Sequence, residues 1–123
     1  MVFGRGKEKT EFKVEYLGGH SAFPKSKKCK MHLRDDHIEL DKLPLKVPYD
    51  AISEMKITTS KELSVGRMLL TGMLAFAWKK KKKLLLVSYK DQIGMEQNLV
   101  FDSGDLEKIQ PAIYNRVAMV RSA

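Results

Sequence analysis

The residues of this chain that could carry chemistry are His20, His32, His37, the single Cys29, and the acidic pair Asp35-Asp36. The three histidines lack the close spacing of a zinc site, and no second cysteine or acidic cluster joins them. His32 and His37 fall on the polar side of an alternating stretch, where Glu39 is a natural cross-strand partner. Cys29 sits on the apolar side and reads as a small core residue. Asp35-Asp36 has the composition of a tight turn; a cation site there would need more oxygen ligands. Gly66, Gly72 and Gly94 make no phosphate-cradling motif. The residues therefore assign no catalytic group, metal ligand or cofactor, and the expectation is a binding protein rather than an enzyme.

Charge is the more informative pattern. One cluster is Lys25, Lys27, Lys28 and Lys30; the other is the unbroken run Lys79, Lys80, Lys81, Lys82 and Lys83. The run follows Met68 to Trp78, eleven residues without a charge, and precedes the aliphatic Leu84 to Val87. A bilayer-spanning helix needs about twenty apolar residues, so Met68 to Trp78 is too short to cross. Adjacent lysines cannot all be buried, because an unpaired ammonium is costly to desolvate. The junction at Trp78–Lys79 is therefore expected to surface. Leu74, Phe76 and Trp78 then have two roles open to them: core or self-association residues, or the apolar part of a membrane contact beside the lysines.

The net charge of +8 points to an anionic partner, either a lipid surface or an acidic protein. Nucleic acid is disfavoured: binding single strands wants aromatics interleaved with basic groups on an open face, and Phe12 and Tyr16 occupy the face expected to be core. A lone cysteine excludes an internal disulfide framework. Met1 to Lys7 lacks the apolar stretch of a secretory signal, so a cytoplasmic protein, at most peripheral to a membrane, is expected. With 123 residues, 43% apolar and 31% charged, one domain suffices. Residues 1–10 read as a flexible tail and 11–121 as the domain.

The elements that must carry these residues are mostly strands. Phe12, Val14 and Tyr16 alternate with Glu11, Lys13 and Glu15, and Gly18-Gly19 ends that run. Cys29, Met31 and Leu33 alternate with Lys28, Lys30, His32 and Arg34, and the pattern resumes after Asp35-Asp36. A two-residue turn there sets Leu33 opposite Ile38, His32 opposite Glu39 and Met31 opposite Leu40, like with like; a one-residue slip would ruin the match. Pro48 marks an edge or a bulge. A strand from Ile52 closing near Thr59-Ser60, then Arg67 to Trp78 as a strand or an insertion, then strands at Leu84 to Tyr89 and Glu96 to Asp102 follow, with a turn at Asp91 to Gly94. Leu106, Ile109, Ile113, Val117 and Val120 then fall on one helical face, with Ser103 or Asp105 as cap. Pro111 forces a choice: a kinked helix, or a short turn followed by a helix that starts at Pro111. About seven strands and a terminal amphipathic helix predict a mainly β chain, a curled antiparallel barrel or sandwich stoppered by the helix.

Three stretches carry a family resemblance: Cys29 to Leu40, Leu45 to Ile57, and Lys83 to Asp91. The middle one contains the step Leu45, Val47, Pro48, Tyr49 and Ile52. Together with the element order they resemble the pleckstrin-homology (PH) superfold in its prokaryotic, GRAM-like branch, over about residues 11–120. The resemblance implies a non-enzymatic scaffold. Members bind phosphoinositides, other anionic lipids or proteins, and some prokaryotic members assemble into rings, so a homo-oligomer is one implied outcome. The family's lipid pattern places basic residues around the first loop, ending in basic-x-Arg-x-apolar. Lys25, Lys27, Lys28 and Lys30 occupy that stretch, with Lys where the pattern has Arg. The bidentate grip of a guanidinium is replaced by point charges.

Overall fold

The computed structural model describes residues 10–23, 25–59 and 83–122. Of the residues singled out above, the tail through residue 9, Leu74, Phe76, Trp78 and Lys79 to Lys82 lie outside the described residues. Seven strands are described: β1 (Glu11–Gly18), β2 (Lys27–Leu33), β3 (His37–Leu40), β4 (Leu45–Pro48), β5 (Ile52–Thr59), β6 (Lys83–Lys90) and β7 (Glu96–Asp102). One helix, α1 (Leu106–Ser122), ends the chain. All strands join a single antiparallel sheet in the order β4-β3-β2-β1-β7-β6-β5.

That order dictates the curl. β4 and β5 stand at opposite edges of the sheet, yet only Tyr49 to Ala51, a 3-10 turn, separates them in the chain. Six steps of about 4.8 Å would hold the edges of a flat sheet about 29 Å apart. Three residues span about 10 Å at full stretch. The sheet must therefore roll until its two edges approach.

Tyr49 fixes the corner. Its side chain is wholly buried, its hydroxyl donates to the Arg34 carbonyl at 2.7 Å, and its backbone N–H donates to the Asp36 carbonyl at 3.1 Å. Leu45, Val47, Tyr49 and Ile52 all reach the core, so the Pro-Tyr step is the hinge by which the chain passes from one edge to the other. Pro48 lies on edge strand β4, where its missing N–H costs no ladder bond.

The hairpin register is the one the side-chain pattern demands: Met31 opposite Leu40, His32 opposite Glu39, Leu33 opposite Ile38. Strand β6 is buried on both faces from Leu84 to Tyr89. Helix α1 runs unbroken through Pro111, which settles the choice left open by the sequence. Ile109 and Ile113, both fully buried, lie on either side of the proline, so packing outweighs one lost backbone bond. The Asp105 carbonyl accepts from Lys108 and Ile109 at 2.9 Å, placing Asp105 at the N-cap. The Ser103 hydroxyl accepts the Asp105 N–H at 3.1 Å and donates to the Lys13 carbonyl at 2.8 Å, tying the helix start to β1. At the far end Arg121 donates to the Ile52 carbonyl, closing α1 over the corner.

Candidate functional site

Three turns at one end of the rolled sheet define the region of interest. The β1–β2 loop, the β3–β4 turn and the β6–β7 turn face the same end of the rolled sheet, since β1, β3 and β6 run towards it and β2, β4 and β7 run away. An open groove of about 1430 Å³ is lined from all three, by His20 and Phe23, by Asp41 to Leu45, and by Lys90 to Ile93.

The β1–β2 loop is built on one hydroxyl. Gly18 and Gly19 adopt φ of 116° and 108°, a backbone that only glycine takes without strain, and turn the chain out of β1. The buried Tyr16 hydroxyl donates to the Phe23 carbonyl and accepts the His20 N–H at 3.1 Å. His20 is buried, and its Nδ1 accepts the Ala22 N–H at 3.0 Å. That bond requires the neutral ring with its proton on Nε2. Burial holds the His20 pKa below its ordinary value, partly offset by the carboxylate of Asp91.

The loop is then locked to the β6–β7 turn. Ser21 N–H donates to Gln97 Oε1 at 3.0 Å, and Gln97 Nε2 reaches Ser21 Oγ and Asp91 Oδ2, each at 3.0 Å. Asp91 Oδ1 accepts the N–H groups of Ile93 (3.1 Å) and Met95 (2.9 Å). These bonds, led by that from Gln97, hold the Asp91 carboxyl below its ordinary pKa. Tyr89 stacks beside His20 at 6.3 Å between ring centroids, and burial pushes its phenol up to about 12.

Around this scaffold stand the lysines. Lys25, Lys27, Lys28 and Lys30 are all exposed, the first in the loop and the others on β2. A second, shallower pocket of about 750 Å³ gathers Lys28 and Lys30 with Lys13 and Lys42. Lys13 lies directly opposite Lys30 in the β1–β2 ladder. Sequence reasoning missed Lys13 and Lys42. The first is revealed only by the strand register, and the second only by the fold that brings the β3–β4 turn over β2.

The positive field is not unbroken. Glu15 faces Lys28 across the ladder, Glu11 Oε2 lies 3.5 Å from Lys30 Nζ, and Asp41 and Asp102 line the same pocket. Asp41 is engaged, accepting the Lys30 N–H at 2.8 Å. Lys83, the described member of the second cluster, begins β6 opposite Thr59. Its neighbour Leu84 continues the row Lys28–Glu15–Asp102 by one strand when the β6–β7 register is extended one residue. Lys28 and Lys83 are thus three strands apart, about 14 Å at ordinary strand spacing, and on opposite faces of the sheet.

His20, His32 and His37 all line the open groove, each with its own partners. His32 Nδ1 lies 3.6 Å from Glu11, whereas His37 lies between Asp36 (2.6 Å) and Glu39 (3.6 Å). Glu39 also takes Arg34 Nε at 3.3 Å. Cys29 is buried, and burial, then Asp41, pushes its thiol up to about 11. The apolar residues most exposed at the three-loop end are Ile93 and Met95, at 80% and 53%. Neither was singled out from the sequence. Among the described residues no helix is long and apolar enough to cross a membrane.

No model of a protein family matches the chain, and no curated protein matches it.

Proposed function

We propose that this chain is a non-enzymatic PH-like binding module that docks on an anionic membrane surface through its three-loop end. The observation that carries the reading is the gathering of Lys25, Lys27, Lys28 and Lys42, all exposed, around loops stiffened by the Tyr16, His20 and Gln97 bonds. A rigid frame presenting point charges suits a surface of many headgroups better than one bidentate ligand. Each lysine near an anionic leaflet contributes about 1 kcal/mol, so four supply about 4 kcal/mol, an affinity near the millimolar range. That is reversible, peripheral attachment from the cytoplasmic side. A scaffold role, binding protein or a second copy, is the competing reading; Tyr114 and Met119, both exposed on α1, favour it.

Co-sedimentation with vesicles separates the two. The membrane reading expects pelleting with phosphatidylserine-containing vesicles, none with pure phosphatidylcholine, and loss of binding as salt rises. Equal pelleting with both vesicle types rejects it.

A further inference from the structure

We infer that the β6–β7 turn is an apolar wedge, and that Ile93 and Met95 enter the acyl boundary of an anionic bilayer. The inference rests on the membrane reading above and names the element that inserts. Three observations carry it. Ile93 and Met95 are among the most exposed large apolar side chains described, and they stand one residue apart on a single turn. The turn is held in shape before any contact: Gly94 N–H donates to the Asp91 carbonyl at 3.0 Å and Asp91 N–H to the Met95 carbonyl at 2.9 Å. Gly94 adopts φ +85°, and among the described residues nothing lies within 4 Å of where its Cβ would stand.

The surroundings choose lipid as the occupant. Lys90 precedes the turn, and Lys42 and Lys46 line the same groove as Ile93, together with Asp41 and Asp91. Asp91 is the acid within the turn; its ionised carboxylate accepts three N–H donors at the base, and Gln92 to Met95 at the tip carry no charged side chain. Glu96 stands at the base, opposite Lys90 in the ladder. An apolar tip with lysines beside its base matches the layering of an anionic leaflet, where headgroup charge lies outside the acyl region. Charge alone gives weak attachment, and a preformed apolar tip adds affinity with little ordering cost.

The test uses the full chain with Ile93→Cys carrying an environment-sensitive fluorophore; Cys29 is buried and its thiolate scarce, so labelling is selective. With phosphatidylserine-containing vesicles the label is expected to shift to the blue and to be quenched by lipids brominated in the shallow acyl region. A label at Tyr114→Cys on α1 is expected to stay aqueous. Unlabelled Ile93→Ser should bind these vesicles about tenfold more weakly, as one exposed apolar side chain predicts. Pelleting of the chain with an aqueous Ile93 label overturns the wedge and leaves the membrane reading standing. Absence of pelleting overturns both. A blue shift without vesicles, with a doubled mass by light scattering, assigns the tip to a second copy and overturns the wedge.

Discussion

Ser21 and Gln97, separated by 76 positions, exchange two hydrogen bonds of 3.0 Å, one in each direction. Through them the loop that carries Lys25 and the turn that carries Ile93 become one body. Replacing Gln97 by Leu should remove both bonds and the one to Asp91, leaving the part-buried bond of the Ser21 N–H without its acceptor. The expected loss is about 1–3 kcal/mol in urea unfolding, with faster amide exchange at Ser21 and Ile93. An unchanged midpoint and unchanged exchange would mean that the two elements are held together by packing alone.

His20 gives the end a pH dependence. Its pKa is lower when folded than the ordinary 6.5, because burial disfavours the cation. The neutral ring is the form that accepts the Ala22 N–H. The unfolded chain therefore binds the proton more readily, so this contribution is complete above pH 6.5 and is lost as pH falls through the folded value. Stability should decline below pH 6.5 with exchange at Ala22 rising first. In His20→Asn, whose side-chain oxygen can replace Nδ1, that part of the decline should vanish.

Cys29 should be inert in the folded chain. With a thiol pushed up to about 11, only about a thousandth of it is thiolate at pH 8. Reaction with a disulfide reagent is expected to be slow in buffer and complete within minutes in denaturant. Fast reaction in buffer would place the thiol at the surface.

The stopper role of α1 rests on Ile109 and Ile113, both fully buried against the rolled sheet. Ile113→Ala should cost about 2–5 kcal/mol, measured by chemical unfolding. A cost below about 0.5 kcal/mol would show that the helix rests loosely on the sheet.

These relationships differ in how far the sequence reveals them. The hairpin from Cys29 to Leu40 was legible to the residue, because a two-residue turn and a period of two leave one register that pairs apolar with apolar. Pro48 left an edge or a bulge open for β4, and the sheet order makes it an edge. The path of α1 through Pro111 was not: local chemistry argues for a break, and burial of Ile109 and Ile113 decides otherwise. The pairing of Lys13 with Lys30 was hidden because the long loop between β1 and β2 does not fix their register. Ile93 was passed over because a turn is identified by its Asp and Gly, while the residue between them matters only once its exposure is known.

Amide hydrogen exchange on phosphatidylserine-containing vesicles tests the docking claim most directly. The account predicts slowed exchange in the β1–β2 loop and at residues 91–95, with α1 unchanged. Protection confined to α1, or no protection anywhere while the chain remains bound, would contradict it.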